Sequence, residues 1–191
     1  LGLSNYNLNN KAEALKDYQN LITLYPLAPE ADEALDNMKN VYVEMGRPND
    51  YVDFVKKSGK VISISEADSL TYAAAELKYS NNDCAGALAS FSNYLSKYPQ
   101  GAYLLETNFY MAECYSKSKD WQNALKGYEA VVNQGSSRFA ERAAFAAARI
   151  DYFELQDYAK SKIYFSKLRD LATTPENQLE ALRGLVRSYY Q

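Results

Sequence analysis

Six tyrosines recur along this chain at a nearly constant interval of 36 or 37 residues. They are Tyr6, Tyr42, Tyr79, Tyr115, Tyr152 and Tyr189. A period in this range is typical of repeat proteins, in which each repeat is one supersecondary unit that stacks on the next. Such arrays commonly offer an extended surface that holds other proteins. The period therefore predicts a class of function, a binding surface rather than an enzyme, but not the partner.

A second series of side chains keeps the same register. Aromatic residues recur at Tyr18, Phe91, Tyr128 and Phe165. Val55 stands at the corresponding position of the repeat between the first two. A small residue stands four positions before each aromatic, at Ala14, Ala87, Ala124 and Ser161. Residues four apart share one face of a helix. We expect the small residue to let a neighbouring helix approach closely and the aromatic to be buried beside it. We also expect Tyr79, Tyr115 and Tyr152 to be largely buried between the helices of their own pairs.

The segments that carry the repeat tyrosines are predicted to be the first helix of each pair. They are rich in Ala, Leu and Glu, which are good helix formers. Their ranges are Glu30–Gly46, Glu66–Asn81, Ala102–Ser118, Arg138–Leu155 and Glu176–Tyr190. Only Lys60–Ser65 alternates in the manner of a strand, and because it is short and isolated we interpret it as a helix end and connector.

Asparagine or aspartate precedes each predicted second helix. These residues are favoured at helix N-caps, because the side-chain oxygen accepts a hydrogen bond from an otherwise unpaired backbone N–H. The predicted caps are Asn10, Asp50, Asp83, Asp120 and Asp157. Two second helices run into a Tyr-Pro pair, which predicts a stop because proline disfavours helical geometry in the residue before it. The second helix near residues 50–65 departs most from the pattern.

These motifs resemble the tetratricopeptide repeat family. The second half of that family's pattern is Tyr, then Ala, an aromatic four residues later, then Pro. It appears as Tyr6…Ala14…Tyr18…Pro26 and as Tyr79…Ala87…Phe91…Pro99. The resemblance covers the whole chain and implies an all-α fold: a single right-handed α-solenoid of about five antiparallel helix pairs over residues 1–191.

The repeat period is longer than the usual period of about 34 residues. Long repeats that end in Tyr-Pro are similar to those of bacterial cell-envelope proteins. The resemblance therefore favours a periplasmic or envelope location and leaves the cytoplasm open. The chain begins five residues before Tyr6 and ends two residues after Tyr189, so we interpret it as a fragment of a longer array.

Composition disfavours catalysis and nucleic-acid binding. The chain has no histidine, which is the commonest general base and metal ligand, and no glycine-rich phosphate loop. Two cysteines cannot form a structural zinc site alone. A net charge of −3 does not supply the basic footprint that nucleic acid requires. We predict no enzyme activity, no cofactor, no metal, no nucleic-acid partner and no membrane span.

The two cysteines, Cys84 and Cys114, are predicted to lie towards the same end of neighbouring helices. The expected state is a pair of free, small, buried side chains. The alternative is a disulfide bond, which would favour an oxidising compartment.

The resemblance also implies a binding groove, because first helices line the concave face in this family. The projected groove residues are Asp36, Asn40, Leu77, Phe109, Glu113, Ile150, Phe153, Arg183 and Arg187. This groove would run from acidic through apolar to basic, with apolar anchor points near Phe109, Ile150 and Phe153. The alternative is that Leu77, Ile150 and Phe153 pack against neighbouring helices. The clamp that chaperone-binding members use for a C-terminal carboxylate is disfavoured, since Asp36 stands where its lysine belongs.

We therefore predict a non-catalytic scaffold that binds a protein or peptide in the concave groove. The alternative is a structural spacer segment of a large cell-envelope protein, which contacts only its flanking repeats.

Overall fold

A computed structural model describes all residues from 1 to 191 and contains eleven α-helices and no strand. The predicted all-α fold is therefore confirmed. The chain divides into two compact units, residues 1–102 and residues 103–191. None of its helices combines the length and the apolar character that a membrane crossing needs.

The first unit, residues 1–102, contains six helices in which each helix packs against the next. They are α1 (Gly2–Asn7), α2 (Lys11–Leu24), α3 (Pro29–Glu44), α4 (Pro48–Lys57), α5 (Ile64–Ser80) and α6 (Cys84–Lys97). Because the connections are short, packed neighbours run antiparallel. The segment with the weakest repeat pattern forms a regular helix, α4, of 10 residues. Lys60–Ser65 is a connector that leads into α5, and it forms no strand.

The second unit, residues 103–191, contains five helices that also pack in chain order. They are α7 (Leu104–Lys117), α8 (Trp121–Asn133), α9 (Ala140–Arg149), α10 (Tyr158–Leu171) and α11 (Pro175–Tyr189). A single π-helical turn, Ile150–Glu154, directly continues α9. All five predicted first-helix segments are helical, at α3, α5, α7, α9 and α11.

The second aromatic series forms the core, as predicted. Tyr18, Phe91, Tyr128 and Phe165 are all at most 5% exposed, and Val55 is 2% exposed. The small residues four positions earlier are completely buried. Two glycines extend this close packing in residues 103–191. A Cβ atom at Gly127 would lie only 2.7 Å from the Asn108 carbonyl oxygen, and one at Gly184 would overlap the Phe165 ring.

The repeat tyrosines are less buried than expected. Tyr79, Tyr115 and Tyr152 were predicted to be largely buried. Each is only half-buried, and Tyr189 is exposed. Tyr42 is buried, with 4% of its surface exposed. A tyrosine between two helices can bury its ring edge while its hydroxyl reaches the surface, which explains the intermediate values.

Three of the five predicted caps form the expected hydrogen bond. Asp83 accepts from the backbone N–H of Gly86 at 2.9 Å, Asp120 from that of Asn123 at 3.2 Å, and Asp157 from that of Lys160 at 3.0 Å. Asn10 occupies the cap position of α2, but its side chain makes no capping bond.

The prediction for Asp50 is wrong. Helix α4 begins two residues earlier, at Pro48, because proline is favoured at the first helical position, where its missing N–H costs nothing. Asp50 therefore lies inside the first turn, where its carboxylate accepts from Arg47 Nε at 2.6 Å. The two Tyr-Pro stops are confirmed, since α2 and α6 end one residue before Tyr25 and Tyr98 respectively.

The expectation of free thiols is also wrong. Neither Cys84, the first residue of α6, nor Cys114, in α7, is free, and both are disulfide-bonded. The alternative, a disulfide bond, therefore holds.

Candidate functional site

The projected groove residues fall in both units and are described unit by unit. In residues 1–102, Asn40 and Leu77 line a surface depression of about 400 Å³ between α3 and α5. Asp36 does not line this depression. It is exposed on α3, and its carboxylate accepts from Lys39 Nζ at 3.1 Å.

Part of the polar lining of this depression is already internally bonded. Tyr6 donates its hydroxyl to a Glu44 carboxylate oxygen at 2.5 Å, and Lys11 Nζ lies 3.0 Å from the other oxygen. Val43, Ala73 and Leu77 provide the apolar part of the lining.

In residues 103–191, Ile150 and Phe153 line a cavity of about 300 Å³, which we call the aromatic pocket. Its lining residues are Ser116 from α7, Trp121 from α8, Phe145, Ala146 and Arg149 from α9, and Ile150, Phe153 and Glu154 from the π-helical turn. The structure thus brings together two of the predicted anchor positions. Ile150 is 5% exposed and belongs to the floor, whereas Phe153 is 47% exposed and accessible.

Phe109 is not a groove residue, which corrects the third anchor position. It is 1% exposed and lies in the core of residues 103–191. Its ring stacks on that of Phe139, with 4.6 Å between the ring centroids, and meets Tyr128 edge-on. Phe139 lies in the connection between α8 and α9.

The remaining charged positions do not contribute to the aromatic pocket. Glu113 forms an ion pair with Arg142 at 2.7 Å. Arg183 and Arg187 line a shallow depression on α11 together with Leu182 and Val186. Arg187 lies 3.3 Å from the Glu180 carboxylate, and Arg183 forms no ion pair.

The alanine-rich sequence of α9 explains why the aromatic pocket faces outward. Ala143, Ala144, Ala147 and Ala148 are completely buried on the inner face of the helix. The larger residues Phe145 and Arg149 are left on the outer face, four positions apart, where they are neighbours. Phe153 continues this stripe after four more residues. Phe145 and Arg149 were not predicted as groove residues, although their four-residue spacing towards Phe153 indicates a shared helix face.

Arg149 is the charged group of this pocket. Its guanidinium carbon lies 5.4 Å from the centroid of the Phe145 ring and 5.1 Å from that of Phe153. Distances of this size allow cation–π attraction. Arg149 is exposed and forms no ion pair, although Glu154 lines the same pocket.

The π-helical turn sets the edge of the pocket. The backbone N–H of Leu155 donates to the Ile150 carbonyl at 3.0 Å, five residues back instead of four. Single turns of this kind occur often at functional sites. Here the turn places Ile150 in the floor and leaves Phe153 and Glu154 at the rim.

The same turn buries an acid. Asp151 is completely buried, and neither of its carboxylate oxygens has a hydrogen-bond partner. Burial raises the pKa of Asp151 from 3.8 to about 6, and the nearby Asp157 carboxylate adds to this effect while Lys160 opposes it. No group of three or more acidic or cysteine side chains is arranged to hold a metal ion.

Comparison with known proteins agrees with this architecture. A tetratricopeptide repeat family model matches residues 1–28 and 106–134. No curated protein sequence gives a significant match. Among solved structures, YrrB, described as a tetratricopeptide repeat protein with an unusual peptide-binding site, has 18% sequence identity and a TM-score of 0.51. The similarity covers 95% of this chain and 88% of that one.

The structure of MamA has 15% identity and a TM-score of 0.47, over 96% of this chain and 97% of that one. The likeness to YrrB shows the fold alone, and the family model matches the same repeat pattern that the tyrosine register shows. The chain therefore has the helical-repeat fold of YrrB, and two of its segments, residues 1–28 and 106–134, are similar to the tetratricopeptide repeat family.

Proposed function

We propose that this chain is a non-catalytic protein-interaction scaffold that binds a peptide segment of its partner, with the aromatic pocket as the contact site in residues 103–191. The observation that carries this proposal is the accessible aromatic surface around Phe153, beside a cavity of about 300 Å³. Tryptophan, tyrosine and arginine dominate the binding energy of many interfaces, and this pocket contains Trp121 and Arg149.

The fold supports the same function. Helical repeat proteins present extended surfaces to other proteins. YrrB is described as having an unusual peptide-binding site, and the fold likeness covers nearly the whole of this chain. By analogy, we extend peptide binding to this chain at the pocket that its own residues form.

The side chains of the pocket support a non-catalytic function. The chain has no histidine, and its one strongly perturbed carboxyl group, Asp151, is completely buried. Ser116 is the one hydroxyl group in the pocket lining, and no histidine is present to act as its general base.

A specific observation favours the alternative, a structural spacer that contacts only flanking repeats. Helix α11 exposes an apolar stripe at helical spacing, formed by Leu179, Leu182, Val186 and Tyr189. Apolar patches of this kind often mark contact surfaces. A further helical repeat of a larger cell-envelope protein is the natural occupant under this alternative.

Selection from a library of displayed random 12-residue peptides tests the proposal. We expect the wild-type chain to enrich peptides that bind Phe153→Ser at least about tenfold more weakly, because truncation of a central aromatic commonly costs more than 1 kcal/mol. The matched control is Ile163→Ser, which changes an equally exposed apolar residue of α10 outside the pocket.

Circular dichroism of all three proteins checks that they fold alike. If the wild-type chain enriches no peptide, or if every enriched peptide binds Phe153→Ser as tightly as wild type, the pocket is not a peptide site. The spacer alternative would then be preferred.

A further inference from the structure

Arg149 is held in a geometry that suits carboxylate recognition. Its guanidinium rests over the rings of Phe145 and Phe153, which restrain a side chain that would otherwise be mobile. The guanidinium plane carries five N–H donors and no acceptor. Because neither ring takes up a conventional hydrogen bond, these donors are left for a partner.

Arg149 also lacks the internal counter-ion that its neighbours have. Arg138, Arg142, Arg169 and Arg187 each have a carboxylate oxygen within 3.3 Å. Arg149 has none, and Arg183 is the other arginine of residues 103–191 without an ion pair. Arg149 is therefore an unneutralised cation at the rim of an apolar cavity, whereas Arg183 is an unneutralised cation outside it.

The cavity beside Arg149 is suited to one anchoring side chain. Trp121, Ala146, Ile150 and Phe153 provide its apolar walls, and its volume is at the low end of the range for ligand pockets. A pocket of this size accepts a side chain or two rather than the face of a whole helix.

We propose that the aromatic pocket selects a peptide in which an acidic residue lies beside an apolar anchor. The anchor enters the cavity, and the acidic side chain accepts hydrogen bonds from Arg149. An arginine–carboxylate pair of this kind is charge-assisted and frequently bidentate, so it fixes the direction of the peptide. Glu154, at the same rim, repels a second carboxylate, so a single acid is favoured over an acidic run. This inference rests on the proposed function.

The test uses the tightest 12-residue peptide from the selection described above. Its acidic residue nearest the anchor is changed to the matching amide, and the affinities of both peptides are measured by fluorescence anisotropy. The proteins are the wild-type chain, Arg149→Gln, Arg149→Lys and the control Arg183→Gln.

We expect the amide peptide to bind wild type about tenfold more weakly than the acidic peptide, and to bind Arg149→Gln with the same affinity as the acidic peptide. Arg149→Lys keeps the charge without the planar fork, so it should restore only part of the difference. Arg183→Gln should behave as wild type in both measurements.

Two outcomes separate this inference from the function on which it rests. The first outcome is a set of peptides that require Phe153 but carry no acid near the anchor, or that lose no affinity on amide substitution. This outcome overturns the inference and leaves the peptide site standing. An equal preference for the acid in Arg149→Gln also overturns it. A selection that yields no pocket-dependent peptide overturns both.

Discussion

Asp151 shows how strongly the surroundings of one residue can change its chemistry. Its carboxyl group is enclosed by the π-helical turn, by Glu129 of α8 and by Lys160 and Tyr164 of α10, with the cap residue Asp157 nearby. Burial disfavours the charged form of a carboxyl group, and two further acids add to that effect. The folded protein therefore holds the Asp151 proton more tightly than the unfolded chain does.

The sign of the pH dependence follows from this difference. Well below pH 3.8 Asp151 is protonated in both states and does not affect the pH dependence of folding. As the pH rises from the unfolded pKa near 3.8 to the folded pKa of about 6, the unfolded chain loses the proton first, so the folded state loses stability. Above about pH 6 the loss is complete.

We expect Asp151→Asn to raise the free energy of unfolding at pH 7 by about 3 kcal/mol, because a pKa difference of about two corresponds to that free energy. Most of the gain should disappear by pH 4. Urea unfolding of both proteins at several pH values measures it. Glu154→Gln, which changes an exposed carboxylate of the same turn, is the matched control. A gain for Asp151→Asn that is equal at pH 4 and pH 7 would contradict the assignment.

At the scale of single residues, burial could be predicted where the repeat register determines it. Tyr128 and Phe165 were correctly placed in the core, because every repeat but the one with Val55 has an aromatic at that position. Phe109 was not, because its burial depends on Phe139, a residue outside the repeated pattern. Arg149 was missed for a related reason: its surroundings depend on two rings that the register does not describe.

At the scale of the helices, the strongest local signal was the aspartate cap. Asp83, Asp120 and Asp157 each begin a second helix with the expected backbone hydrogen bond. Asp50 failed because a nearby proline offered a better starting point for α4. The cap rule therefore predicted where second helices begin, except where another start signal competed within two residues.

We expect Asp83→Ala to lower the free energy of unfolding by about 1 kcal/mol, because it leaves the Gly86 N–H without its acceptor. Asn10→Ala, at a cap position whose side chain makes no capping bond, should cost clearly less. Chemical denaturation followed by circular dichroism compares the two. Equal losses would show that the capping bond of Asp83 is not what stabilises α6.

The π-helical turn could not be predicted from composition. The segment 138–155 is rich in good helix formers and was predicted as one continuous helix, since nothing in those residue types distinguishes a wider turn from an ordinary one. The difference comes from packing on both sides of the turn. As a result, Ile150 and Phe153 were both predicted as groove residues, but the sequence did not predict that Ile150 is buried and Phe153 exposed.

At the scale of the whole molecule, the nearly constant tyrosine interval was the most informative feature of the sequence for predicting the fold. It predicted the all-α repeat fold, and the fold likeness to YrrB extends over 95% of the chain. A continuous solenoid over residues 1–191 stays a prediction, as does the envelope location. The partner could not be predicted, because the register specifies how helices pack and leaves the outward-facing residues free to vary.

The oxidation state of the cysteines gives a test at this scale. We expect no free thiol in the unfolded, unreduced protein and two after reduction, because both cysteines are disulfide-bonded. Ellman's reagent under denaturing conditions measures this. A protein prepared in an oxidising compartment is the relevant sample, since disulfides are rare in reducing ones. Two thiols found before reduction in that sample would contradict the structure.

The widened turn at the end of α9 also changes the spacing of positions within this repeat. Ala148 and Ile150 are buried 36 residues after the buried residues Ala112 and Cys114, whereas Tyr152 follows Tyr115 by 37 residues. The wider turn accommodates one more residue, Asp151, between these two spacings. A single turn of backbone thus holds both the buried acid and the exposed rim residues of the aromatic pocket.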